Sequence, residues 1–99
     1  MPPLLNKRKF TIDSDNGLSD LLKQQGYSLF SWRDAAGSYY SLHQHDHDEY
    51  IIVCSGKIVF TVDGVDYELE PGDELILPAN TVHTASVAEA VKYFICTRP

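Results

Sequence analysis

Gly37-Ser38-Tyr39-Tyr40-Ser41-Leu42-His43-Gln44-His45-Asp46-His47-Asp48-Glu49-Tyr50-Ile51-Ile52-Val53-Cys54-Ser55-Gly56 is a polar, histidine-rich stretch that runs into an apolar one, with a glycine at each end. Side chains alternate across an extended chain, so His43, His45 and Glu49, all at odd positions, can point to the same side. Two imidazoles in His-x-His spacing can meet one ion, a carboxylate from the next strand adds compensating charge, and His83 supplies a fourth donor. Four protein ligands leave one or two positions open on a metal that prefers five or six. Nitrogen and oxygen donors without thiolate suit one divalent transition metal ion (Fe, Mn, Ni, Cu or Zn) and do not choose among them.

Downstream, Lys57 to Glu70 reads as a hairpin, because Asp63-Gly64 supplies the two positive-φ positions of a type I′ turn. A two-residue loop fixes the register. It sets Val62 opposite Val65, Phe60 opposite Tyr67 and Ile58 opposite Leu69 on an apolar face, with Thr61 opposite Asp66 and Lys57 opposite Glu70 on a polar one. Glu70-Pro71-Gly72-Asp73 has the pattern of a type II turn, leading into a strand Glu74-Leu75-Ile76-Leu77 that Pro78 stops. Asp73 and Glu74 read as turn and strand edge, not as an acid–base pair. Val91 to Thr97 is a last strand rich in Val, Tyr, Phe and Ile.

Upstream, the character changes. Met1-Pro2-Pro3 is stiff and poor in donors, whereas Leu18 to Gly26 reads as a short helix capped by Ser19, ended by Gly26, and covering one end of the fold. The expectation is an N-terminal arm and short helix over residues 1–26 and one β domain over residues 27–99.

The spacings in the quoted stretch resemble the first motif of the cupin superfamily: Gly37, five residues, His43-x-His45, three residues, Glu49, six residues, Gly56. The second motif is matched by Gly72, Pro78 and His83, beginning after a gap of 15 residues. Two positions depart from it. Asn80 stands where the motif has Gly, which Asn tolerates because it adopts left-handed backbone most readily after glycine, and Val87 stands where the motif ends in Asn. The resemblance implies an all-β jelly-roll β-barrel of two antiparallel sheets with the short N-terminal helix added, and His43, His45, Glu49 and His83 as metal ligands. It also implies that Asp46-His47-Asp48 forms a corner between strands, which leaves His47 as a solvated turn residue outside the ligand set.

The superfamily hosts many activities, so the resemblance narrows function without fixing it. A metal-dependent, Fe(II)-like oxygenase acting on a small molecule is the first reading. A non-redox isomerase or epimerase of a sugar or keto acid is the alternative, with His47 and Tyr39 as the candidate bases, and a non-catalytic small-ligand module is the third. Trp32, Tyr39, Phe60 and Tyr93 could line a ligand pocket, although such aromatics more often form plain core. Arg33, Lys57 and Lys92 are the cations of the β strands that could serve a cavity, and so few favour a neutral or chelating small molecule over a phosphorylated one.

Composition excludes several partners. At 99 residues and a formal charge of −6, with no basic stripe, the chain lacks the electrostatic footprint of a nucleic-acid or anionic-membrane binder. Without an apolar run long enough for a signal peptide or a span, a cytoplasmic location is expected. Cys54 and Cys96 lie in apolar surroundings and read as buried thiols. A fold this small leaves apolar faces such as the Phe30 and Trp32 side uncovered, so a homodimer is expected.

Overall fold

Two long strands set the architecture. The computed structural model describes residues 2–12 and 14–98; Met1, Asp13 and Pro99, which belong to the expected arm and β region, lie outside it. In chain order the elements are β1 (Leu4–Asn6), α1 (Asp15–Gln24), β2 (Ser28–Asp34), β3 (Tyr39–His43), β4 (Glu49–Val62), β5 (Val65–Leu69), β6 (Glu74–Leu77) and β7 (His83–Thr97). β4 and β7 are 14 and 15 residues long and pair antiparallel along most of their length. The first part of β4 also pairs with β6, and its second part with β5; β7 pairs with β3 early and β2 late.

The expected two-sheet barrel is therefore corrected. The strands form one seven-stranded sheet in the order β1-β6-β4-β7-β2, with β3 added on β7 and β5 on β4, and this sheet is not closed into a barrel. The physical reason is continuity: β4 and β7 pass through both halves, and register shifts between Val53 and Ile58 let them bend without breaking the ladder. The folded sheet encloses one cluster that includes Ile51, Val53, Ile58, Phe60, Leu75, Val87 and Tyr93. A second cluster, Ile52, Cys54, Phe94 and Cys96 with Leu18 and Leu22 of α1, packs on the opposite face. The uninterrupted apolar run Ile51 to Cys54 follows from this, since that stretch of sheet is buried on both faces.

Helix α1 thus covers a sheet face rather than one end of the fold, and it starts earlier than Ser19. Ser14 is the N-cap, its Oγ accepting from the Gly17 N–H at 3.0 Å. Gly26, at φ 88°, does end the turn. The hairpin register agrees with the sequence reading from Ile58–Leu69 to Val62–Val65, with Asp63 and Gly64 at φ 50° and 76°. The outermost pair differs. β5 ends at Leu69, and Lys57 Nζ instead meets Glu68 Oε1 at 3.3 Å.

Asp73 and Glu74 are buried, because residues 6–10 close over them. Asp73 accepts from the Arg8 and Glu70 backbone N–H groups, both at 2.8 Å, and from Lys7 Nζ, while Glu74 Oε1 accepts from Asn6 Nδ2 and Lys9 Nζ, both at 3.0 Å. Burial pushes the Asp73 carboxyl up, yet the hydrogen bonds from Lys7, Arg8 and Glu70 outweigh it and hold the group below its ordinary 3.8. A carboxyl whose value is depressed by folding stabilises the fold above its unfolded value and loses that contribution as pH falls through the folded one. Denaturation midpoints should therefore drop as pH falls below about 4, and Asp73→Asn should flatten that acid limb. An unchanged limb in the variant would remove Asp73 as its source.

Both cysteines are buried, and burial foremost, with Glu74 and Cys54 nearby, pushes the Cys96 thiol up to about 12. No helix among the described residues is long and apolar enough to cross a membrane.

Candidate metal centre

Three separate pieces of chain bring the histidines together. β3 delivers His43 at its last position, where it pairs with His83 at the first position of β7. His45 lies in the corner between β3 and β4, since residues 44–48 belong to no strand; the corner expected at Asp46-His47-Asp48 thus begins two residues earlier and takes His45 off the strand that carries His43. Two bonds stitch that corner to the turn before β7: Asn80 N–H donates to His45 O at 2.6 Å, and Ala79 N–H donates to Asp48 Oδ1 at 2.7 Å. Asn80 takes φ 62°, the left-handed backbone expected of the residue standing in for glycine.

One ligand atom from each of His43, His45 and His83 lies within 4.8 Å of the others. Glu49, buried at the start of β4, reaches His45 Nε2 at 3.4 Å through Oε1. The ring tautomers suit metal binding. Nδ1 of His43 lies 2.7 Å from Ser41 O, and Nδ1 of His83 lies 2.8 Å from Thr81 O. A carbonyl can only accept, so each Nδ1 carries the hydrogen and each Nε2 keeps its lone pair. Burial holds His83 below the ordinary histidine value; its Thr81 bond raises it again, and His43 pulls it back down. The lowered value favours the neutral ring, the form that can offer a lone pair to a metal. The donor set therefore fits one divalent metal ion.

His47 is exposed and bonds Asp46 Oδ1 at 3.1 Å; it does not line the pocket. Tyr39, the other residue considered as a base, is 65% exposed and pairs with Ser86, away from the pocket lining.

The histidines and Glu49 open on a cavity of about 250 Å³ whose other walls are Trp32, Tyr40, Ile51, Phe60, Ala85, Tyr93 and Ile95. Trp32, Phe60 and Tyr93, which the sequence favours as plain core over pocket, line the cavity, with Phe60 and Tyr93 part of the core as well; Tyr39, weighed with them, does not, and Tyr40 does. Asp34, which the sequence reading did not single out, sits behind two of these side chains. Its Oδ1 accepts from the Tyr40 hydroxyl at 2.7 Å and its Oδ2 from the Tyr93 hydroxyl at 2.8 Å. The Asp34 bond foremost raises Tyr40 above the ordinary phenol value, and burial foremost, then Asp34, raises Tyr93. Val87, the second departure from the motif, is core, and its backbone pairs with Gly37 N–H at 2.8 Å and Ser38 O at 2.9 Å.

These features define a small folded-sheet domain with a histidine cluster able to hold a metal at the end of an apolar cavity. Residues 30–96 match the cupin domain family, and the chain belongs to it. It is 27% identical over 112 aligned positions to an acireductone dioxygenase of Bacillus cytotoxicus, covering 93% of this chain and 66% of that protein. The chain thus spans just under two-thirds of that relative's length. Its fold is similar to a cupin superfamily protein from Desulfitobacterium hafniense, with TM-score 0.67, 21% identity, and 98% and 77% of the two chains covered. A DUF861 family protein from Thermotoga maritima aligns with TM-score 0.67 and 20% identity over 95% of this chain and 97% of that one.

Proposed function

We propose that His43, His45, His83 and Glu49 hold one divalent transition metal ion and that the site is that of an oxygenase acting on a small molecule. The observation that carries this reading is the convergence of the three imidazoles on one point at the end of a cavity. Similarity to a dioxygenase supports the choice of oxygenase over other metal chemistry. A bound ion would supply a Lewis-acidic, redox-capable centre with positions left open for substrate.

The chain's own residues do the rest. Ser41 O and Thr81 O fix the orientation of two imidazoles, Glu49 offsets positive charge beside His45, and the apolar walls exclude water around a bound substrate. The isomerase alternative needs a proton-moving base in the cavity, and the two candidates considered for it, His47 and Tyr39, do not line it.

Oxygen uptake by Fe(II)-loaded protein against a panel of small chelating substrates tests the reading. Turnover should require oxygen, fall away with Zn, and drop by two orders of magnitude or more in Glu49→Ala even at equal metal content. Anaerobic turnover equal to aerobic turnover would point to non-redox chemistry instead.

The proposed assembly is a homodimer, supported by Phe30 and Trp32, which are 69% and 48% exposed on the edge strand β2. Light scattering should then give twice the 11.1 kDa chain mass. A monomer mass at every concentration would exclude it.

A further inference from the structure

A second polar group serves the same cavity from outside the metal centre. Asp34, Tyr40 and Tyr93 come from β2, β3 and β7, and the two tyrosines line the cavity while the aspartate does not. A phenol has one hydrogen to donate. Both hydrogens are committed to Asp34, one to each carboxylate oxygen. What the two phenols retain for a ligand is acceptor capacity, and the carboxylate behind them makes their oxygens more electron-rich. Neither phenol loses its proton near neutral pH, so the arrangement persists there.

Charge points the same way. Among the described residues no Lys or Arg lines the cavity, whereas Glu49 lines it and Asp34 bonds its two tyrosines. A phosphate or second carboxylate at the tyrosine end would find no lysine or arginine among the described lining residues and would face the two phenol oxygens as acceptors. A hydroxyl or amine would find a ready acceptor, with Trp32, Ile51, Phe60 and Ile95 covering an apolar body.

We propose that the cavity reads its ligand at two points: chelating oxygens at the histidine cluster and a hydrogen-bond-donating group, hydroxyl or amine, at the Tyr40–Tyr93 pair. This rests on the reading of the histidines as a metal centre. The ligand class is a small chelator with an apolar or aromatic body, uncharged or amino-bearing at the tyrosine end.

The test uses the full chain loaded with Co(II), whose visible absorption bands shift when a ligand oxygen enters the coordination sphere. The probes are benzohydroxamate, its 3-amino and 4-amino derivatives, and its 4-carboxy derivative. One of the amino probes should bind on the order of tenfold tighter than the parent, and the carboxy probe more weakly. In Tyr40→Phe and in Tyr93→Phe the amino-to-parent ratio should fall toward one. Tyr93 is buried, so circular dichroism checks that variant, and the exposed Tyr40→Phe decides if it fails to fold. If Co(II) does not load, or loads equally in His83→Ala, the metal-centre reading itself is overturned; if it loads and no probe shifts the bands, the two-point reading of the ligand is overturned. If the probes bind but the ratio is near one in the unaltered chain, or survives in a folded Phe variant, the donor end is overturned and the metal centre stands.

Discussion

His83→Ala is expected to lower metal affinity by at least about 100-fold, a loss read by metal analysis of protein dialysed against a weak chelator. Removing even an outer-shell partner of a ligand costs roughly 10–100-fold, and His83 is nominated as a ligand itself. Three observations single it out. It is 2% exposed, its ring centroid lies 4.1 Å from that of His43, and it is the imidazole contributed by β7 rather than by the segment leading into β4. Without it, His43, His45 and Glu49 are the nominated donors left, and the three-imidazole cluster is broken. The fold should survive, since the backbone pairing of His83 with His43 does not depend on the ring. His47→Ala is the control, because that side chain is exposed and bonded to Asp46. Equal loss in both variants would mean that the ligands are misassigned.

Much of this site was legible in the chain because fixed spacings and tight turns leave little freedom. A two-residue loop at Asp63-Gly64 sets the β4–β5 register, and the glycine and histidine spacings bring His43 at the end of β3, His45 in the corner after it and His83 at the start of β7 together. What parity alone could not give was the face of Tyr39 and Tyr40. Counting back from His43 puts Tyr39 on the ligand side, but the register shifts by one between Tyr40 and His43. A one-residue slip exchanges the faces, so Tyr40 lines the cavity instead.

Contacts made by distant, irregular segments were equally hidden. Burial of Asp73 and Glu74 depends on residues 6–10 folding back across the start of β6, and no local pattern around Pro71-Gly72 announces that cover. Closure was misjudged for a related reason. Strand composition shows which faces are apolar, whereas closure depends on whether the outer strands β1 and β2 meet, and they do not.

Gly56→Ala should be the most destabilising of the conservative substitutions in the Gly37–Gly56 stretch, and Gly37→Ala shows why the two motif glycines differ. Both have left-handed backbone, φ 87° at Gly37 and 81° at Gly56, which costs a residue bearing Cβ roughly 1–2 kcal/mol. At Gly37 a Cβ would meet nothing within 4 Å, so that strain is the whole penalty. At Gly56 it would lie 2.0 Å from Ala90 O and 2.7 Å from Val91 Cα. Backbone cannot move aside as a side-chain tip can. The methyl would force β4 and β7 apart at the bend where they pass from one half of the sheet to the other, adding about 1–3 kcal/mol of overpacking. The sum, about 2–5 kcal/mol, is a large part of the roughly 5–15 kcal/mol that holds a domain folded. Urea denaturation of the three proteins should give midpoints in the order unaltered, Gly37→Ala, Gly56→Ala. Because Glu49 and Phe60 lie on β4 either side of this bend, the Gly56 variant should also weaken metal binding. Equal midpoints for the two variants would show that the β4–β7 crossing has room that the geometry denies.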